Sequence, residues 1–236
     1  MIPQLRECQS VVDQVLEMMT SQLISADPMK LHHVVLTGGG AGLSINNRLT
    51  DVAKNIPEET WANTHFWWGD ERFVDSDSPD RNDIGIKSSL GDFFIESNIH
   101  RVAAAEQVLS AEVAASDYVR ELIEFGSAGV PPKFTFVILG VGPDGHIASL
   151  FPGHPQLNSH SIAVPVFDSP KPPPVRVTLS YPTLNNSQCT VLLLAGESKR
   201  EALAAILNTR GRIDLTPARG IQAAELYAVT DLLVAV

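Results

Sequence analysis

Cysteine is almost missing from this chain. Cys8 and Cys189 are the only two among 236 residues, and their spacing fits neither a redox pair nor a zinc site. They read as small free hydrophobes in a reducing compartment, not as a disulfide scaffold. Positive charge is also scarce. Lys plus Arg number 17 against 27 Asp plus Glu, a formal charge of -10. The positive residues are scattered singly, so no nucleic-acid or anionic-membrane partner is expected. An anionic ligand would have to be met locally, by a few placed Arg or Lys side chains and by helix N-termini. No apolar run approaches the ~18 residues of a membrane span. The opening MIPQLRECQS has no basic stretch leading into an apolar core, so no secretory leader is expected and the cytoplasm is the expected location. Internal repeats, low-complexity tracts and linker-rich stretches are missing too. One domain over residues 1–236 is therefore expected.

What is present is apolar enough, at 44%, to build a sizeable core. The pattern is organised around residues 134–153, FTFVILGVGPDGHIASLFPG. There an unbroken apolar run drops into a glycine-rich turn carrying Asp144 and His146. Three strand candidates, 34–36, 134–139 and 190–195, lack polar alternation and are separated by helical periods. That predicts an α/β fold with a mostly parallel sheet covered by helices on both faces. The spacing further predicts helices over 6–24, 44–54, 108–126 and 197–207, and a helix capped by Asn82 or Asp83 running to about Phe94. Strands are predicted over 64–69, 175–179 and 226–229, with another possible over 159–164. A turn is expected at Leu184-Asn185-Asn186, and a short helix opening at Pro217. Residues 70–83, DERFVDSDSPDRND, read as a polar loop. The prolines in DSPKPPP at 168–174 exclude strand interior.

Two glycine clusters invite ligand readings. Gly140 to Gly145 formally fits a dinucleotide fingerprint after a strand. Pro143 and Asp144, however, interrupt the turn where amides should face a pyrophosphate, and no strand ends in an acid about twenty residues on. Gly38, Gly39, Gly40 and Gly42 follow a strand without the Lys-Ser/Thr of a nucleotide loop. They suit either an anion nest or close helix–sheet packing. His146 is the leading candidate base, with an unperturbed pKa near neutrality. Asp70, Glu71 and Arg72 stand at another strand end, where Arg72 could fork an anion. Arg176 begins a strand. Lys199 lies in a first helical turn, where a cation is unfavourable unless it meets an anion. No third ligand accompanies Asp70 and His146, so no metal is expected. No serine-esterase elbow is present.

Several of these segments together resemble the 6-phosphogluconolactonase family. They are VVLTGGGAG at 34–42, WWGDERFVDSDSPDRND at 67–83, FVILGVGPDGHIASLFPGHP at 136–155 and PPVRVTLSYPTLN at 173–185. LLAGESKREAL at 193–203 and the later PARG and LYAVTD agree with them. The related glucosamine-6-phosphate deaminases and isomerases typically lack an arginine after the Asp-Glu pair, so Arg72 favours the lactonase side. The resemblance implies a Rossmann-like fold that binds no dinucleotide. It also implies hydrolysis of 6-phospho-D-glucono-1,5-lactone to 6-phosphogluconate in the oxidative pentose phosphate pathway, with no metal or organic cofactor. On this reading the partner is a small sugar phosphate, and the protein is a monomer or small homo-oligomer.

The resemblance makes His146 the base that activates water, with Asp144 or Asp70 orienting it. Arg72, Arg176 and Lys199 become substrate or phosphate contacts beside the amides of Gly38 to Gly42. Amides near Gly142 and Gly145, or Arg72, would receive the oxyanion. The chain departs from the common family pattern at GGGAG, Asp75 and Ile147 without losing any of these groups. The rival readings are an isomerase or deaminase of a sugar phosphate, using a carboxylate base, and a sugar-phosphate-binding module without turnover.

Overall fold

The computed structural model describes residues 1–233. Its centre is strand β5 (Phe134–Gly140), flanked by β2 (His32–Leu36) and β8 (Ser187–Leu194). Outside these lie β3 (Thr64–Trp68) on one side and β9 (Glu225–Thr230), then β1 (Gln4–Glu7), on the other. The order β1-β9-β8-β5-β2-β3 is parallel throughout.

The lack of alternation in the strands has a direct cause. Val34, Leu36, Phe136, Ile138, Val191 and Leu193 enter one core, while Val35, Val137, Leu139, Leu192 and Leu194 enter the other. Both faces of the sheet are dry, so successive residues on opposite faces must both be apolar. The first core is closed by α1 (Val11–Ile24), α2 (Gly39–Asn46), α3 (Leu49–Ala53), α4 (Glu58–Ala62) and α5 (Ile86–Leu90). The second is closed mainly by α6 (Ala111–Glu124) and, after the short α7 (Tyr181–Leu184), by α8 (Arg200–Leu207). No helix among the described residues is long and apolar enough to cross a membrane.

A second, antiparallel sheet was not legible in the sequence. It consists of β4 (Asp70–Arg72), β7 (Arg176–Leu179) and β6 (Ala163–Val166), in the order β4-β7-β6. Asp70–Arg72 is thus a strand, where a loop was expected. Gly69 joins the two sheets: its N–H donates to Leu36 O at 3.1 Å, and its carbonyl accepts Leu179 N–H at 2.9 Å. The chain bends at this residue, so that β3 passes from one sheet into β4 of the other.

Other boundaries shift for identifiable reasons. The first helix begins at Val11, because the Ser10 side chain caps it by accepting the Asp13 N–H; residues 4–7 instead form edge strand β1, short and mostly exposed. The helix expected over 44–54 is two helices, and the first starts at Gly39. The glycine run is its opening turn, which low glycine helix propensity concealed. A Cβ on Gly42 would lie 2.7 Å from Thr37 O, so close approach of α2 to β2 requires glycine there. Neither Asn82 nor Asp83 caps α5; Gly85 precedes it with φ 79°, and Gly91 stops it before Phe94. β6 begins at Ala163, later than expected. α8 is preceded by a 3₁₀ turn, Glu197–Lys199, and Pro217–Gly220 is also 3₁₀.

Candidate active site

From β2 the chain crosses to β3 on one side, and later returns through β5 to β8 on the other. The carboxyl ends of β2 and β5 therefore diverge into a crevice, the usual ligand position in an open parallel sheet. A cleft of about 430 Å³ lies there, walled on one side by β4 and the loop before β7.

The turn after β5 brings Asp144 and His146 together. Gly142 N–H donates to His146 O at 2.8 Å, and Gly145 N–H donates to Gly142 O at 2.9 Å. This closure folds Asp144 back so that its Oδ1 lies 2.5 Å from His146 Nδ1. A Cβ on Gly142 would stand 2.0 Å from His146 Nδ1 and 2.5 Å from Asp144 Oδ1. Only glycine leaves room for the pair. The imidazole lies 4.6 Å from the Phe151 ring, and its side chain is 12% exposed. Its Nε2 makes no hydrogen bond to any described residue.

Burial lowers the His146 pKa from its ordinary 6.5, against the raising effect of Asp144, and Lys171 lowers it further. The ring is therefore neutral and able to accept a proton at neutral pH. For Asp144, burial works upward, but the hydrogen bond and charge of His146 hold its carboxyl below the ordinary value. With the carboxylate accepting from Nδ1–H, the basic lone pair is on Nε2.

The opposite wall is the start of α2. Gly38, in extended conformation, precedes it. The N–H groups of Gly39, Gly40 and Ala41 have no intrahelical acceptor and point out of the first turn. The buried Asn82 side chain lies over Gly38, where a Cβ would come within 1.7 Å of Asn82 Oδ1. Asn82 Nδ2 also donates to Asp70 O at 2.7 Å. Behind it, Glu71 is fully enclosed and accepts backbone N–H groups from Arg72, Asn82 and Asp83. Burial and the Asp83 carboxylate push Glu71 up to about 8.

Most of the expected residues converge on this cleft: Gly38, Gly39, Gly40, Gly42, Asp70, Arg72, Gly142, His146, Arg176 and Lys199 all line it. Of the two acids expected to orient His146, Asp144 is the one that holds it. Other roles differ from expectation. Asp70 instead accepts Ser149 Oγ–H at 2.6 Å and pairs with Arg176 at 3.5 Å. Gly145 does not reach the cleft; it packs on Thr216 with φ 78° and receives the Ala218 N–H. The amides of Gly142 and Gly145 are both engaged inside their own turn, so neither is open to an oxyanion. Arg176 borders the cleft but is buried, and its Nε and Nη2 donate to the carbonyls of Pro173, Lys171 and Pro172 at 3.0–3.2 Å.

Arg72 is the opposite case. Nη1 donates to Asp80 O at 2.5 Å, while Nε is buried without an acceptor among the described residues. An unsatisfied buried donor is costly, and Arg72 also lines the cleft. Lys199, half-buried, is lowered in pKa by burial and then by Lys171. Reading by residue type overlooked Thr37, Asn82 and Lys171, which also line the cleft. Lys171 sits in the proline tract, where the absence of secondary structure masked its position; the lone cation inside DSPKPPP was the available signal.

A family model described as glucosamine-6-phosphate isomerases/6-phosphogluconolactonase matches residues 6–230. The chain belongs to this family. The 6-phosphogluconolactonase of Mycobacterium tuberculosis is 38% identical over 193 residues, covering 79% of this chain and 76% of that one. The 6-phosphogluconolactonase of Streptomyces coelicolor is 38% identical over 200 residues, covering 79% and 74%. Among solved structures, the 6-phosphogluconolactonase of Thermotoga maritima superposes with a TM-score of 0.79 at 29% identity, over 97% of this chain and 98% of that one. The family's two branches share the mostly parallel sheet, and a monomeric glucosamine-6-phosphate deaminase shows the same fold with a TM-score of 0.76.

Proposed function

We propose that this protein is a 6-phosphogluconolactonase: it hydrolyses 6-phospho-D-glucono-1,5-lactone to 6-phospho-D-gluconate in the oxidative pentose phosphate pathway. The observation that carries the reading is the His146–Asp144 pair, with Nε2 unpartnered in a cleft whose other wall is an open helix N-terminus. That layout suits a small substrate with an electrophilic carbonyl at one end and a phosphate at the other.

The phosphate docks on the amides of Gly39, Gly40 and Ala41, with Lys199 beside them. This leaves lactone C1 facing His146. Nε2 takes a proton from water as the water oxygen bonds to C1, and the carbonyl electron pair moves onto oxygen. The Arg72 guanidinium, which lines the cleft, stabilises that oxyanion. Collapse reforms the carbonyl and breaks the C1–O5 bond, and the imidazolium returns its proton to O5. Asp144 steadies the imidazolium and holds the tautomer. Asp70 braces Arg176 and Ser149 and takes no proton. The scheme needs water, one imidazole and fixed cations, and it invokes neither a metal nor an organic cofactor.

We read the active unit as one domain over residues 1–236, a monomer or small homo-oligomer in the cytoplasm with no nucleic-acid or membrane partner. The test is a coupled assay. Lactone generated by glucose-6-phosphate dehydrogenase is supplied, and acid release is followed above the spontaneous rate. Accelerated release with no ammonia formed from glucosamine 6-phosphate is the expected result. The reverse pattern would transfer the protein to the deaminase branch.

A further inference from the structure

The segment Asp168–Pro174, between β6 and β7, has no regular structure yet is tightly held. Ser169 N–H donates to Pro174 O at 3.0 Å, Ser169 Oγ–H donates to Lys171 O at 2.9 Å, and Lys171 N–H approaches Ser169 Oγ at 3.3 Å. From the other side the Arg176 guanidinium gathers three successive carbonyls, those of Lys171, Pro172 and Pro173. Asp70 fixes that guanidinium in turn. Proline backbones offer few conformations and no donors, so the loop is a rigid bracket with one functional side chain, Lys171.

That side chain lines the cleft together with His146 and Lys199, and its ammonium pairs with no carboxylate among the described residues. Its field reaches His146, Asp144 and Lys199. Lys171 and Lys199 thus repel one another, with the single carboxylate of Asp144, already engaged by His146, acting on both. Such an arrangement is unfavourable when empty and favourable once a dianion enters. The groups acting on His146 are Asp144 and Asp70, which favour its charged form, and Lys171, which opposes it; the Phe151 ring on its other side is apolar.

We propose that Lys171 is an anion contact of the cleft that ties occupation of the phosphate site to the readiness of His146 to accept a proton, and that Arg176 is the positioning residue that holds it there. Empty, the site keeps His146 a weaker base beside an ammonium that pairs with no carboxylate among the described residues. When a dianion neutralises Lys171, Asp144 and Asp70 act on the imidazole unopposed, and it becomes the stronger base needed for water activation. The catalytic consequence rests on the hydrolytic reading above; the coupling itself does not.

The experiment follows the His146 imidazole by NMR titration in wild type, Lys171→Met and Lys171→Arg, each with and without inorganic phosphate, the resonance being assigned from His146→Asn. In wild type, phosphate raises the His146 midpoint. In Lys171→Met the midpoint without phosphate is already higher by roughly one pH unit, and phosphate moves it less than in wild type. Lys171→Arg behaves as wild type. Steady-state assays on the phosphorylated lactone add a KM about tenfold higher in Lys171→Met, as expected for one lost charge-assisted hydrogen bond. A Lys171→Met midpoint equal to that of wild type, or one still moved by phosphate to the same extent, overturns the proposal. Wild-type protein without lactonase activity would instead remove the proposed function, and the titration would still judge the coupling. Arg176→Met should reproduce the Lys171→Met titration; should that variant fail to fold, Lys171→Met alone decides.

Discussion

Two histidine–carboxylate pairs in this molecule have nearly the same local geometry and opposite uses. His146 Nδ1 lies 2.5 Å from Asp144, and His100 Nδ1 lies 2.6 Å from Glu121. What separates them is the second nitrogen. His100 Nε2 is 2.8 Å from His65 Nδ1, and its ring stacks on Trp67 with centroids 3.8 Å apart. His33 completes this cluster by accepting the Trp67 Nε1–H at 3.1 Å. Both ring nitrogens of His100 are engaged, one by Glu121 and one by His65, so this pair ties β3 to α6. His146 keeps Nε2 free at a cleft wall. A carboxylate partner orients an imidazole in both places, but chemistry needs the other nitrogen to be unengaged.

The comparison can be broken most severely at His146. His146→Ala should lower lactone hydrolysis roughly 100- to 10,000-fold while leaving the fold intact by circular dichroism; retention of full activity would remove the pair from the mechanism. Gly142→Ala should come next. Its methyl would occupy the position of the imidazole edge, and a displaced base costs about 100-fold in kcat. An Ala variant with unchanged kcat would mean that the turn does not position the base.

The buried cluster should respond in stability and not in rate. Burial first, then mutual repulsion, lowers His33 to about 3 and His65 to about 4. Below their ordinary value near 6.5, the unfolded chain takes up protons that the folded chain refuses. Stability is therefore lost as pH falls from about 6.5 toward 4. At pH 5 each such histidine accounts for roughly 2 kcal/mol. Glu71, raised to about 8, titrates with the opposite sign, so the histidine contribution must be read as a difference. Urea unfolding at pH 7 and pH 5 should show a smaller acid loss for His65→Gln than for wild type; equal losses would mean that His65 titrates freely in the fold. The smallest effect belongs to Glu121→Gln. Glu121 is 36% exposed, so the change should cost no more than about 1 kcal/mol and leave kcat within error. A large drop in kcat would erase the distinction between the two pairs.

The strands around the cleft were legible because both of their faces are buried, which leaves unbroken apolar runs such as Val34–Leu36 and Phe134–Leu139. His146 and Asp144 were legible because they are two residues apart on a turn. Asp70–Arg72 was not. Three polar residues carry no strand period, and their partner strand β7 lies about a hundred residues away. Nor could type and spacing distinguish Arg176, which binds carbonyls, from Arg72, which keeps a free donor. The expectation that Gly142 and Gly145 offer amides failed because the turn consumes those amides in its own closure. His33, His65 and His100, scattered over three segments, gave no hint of forming one cluster.

The sequence by itself determined the parallel sheet, the position of the glycine-rich turns and the presence of a histidine with an acid beside it. These depend on apolar periodicity and local spacing, which are properties of contiguous residues. Only the tertiary structure decided which acid serves His146, which cations remain available and which bracket their neighbours. It also decided that one imidazole pair faces a cleft while the other is sealed. Those outcomes depend on which hydrogen-bonding edges are still unsatisfied after distant segments have packed, and no single segment carries that information.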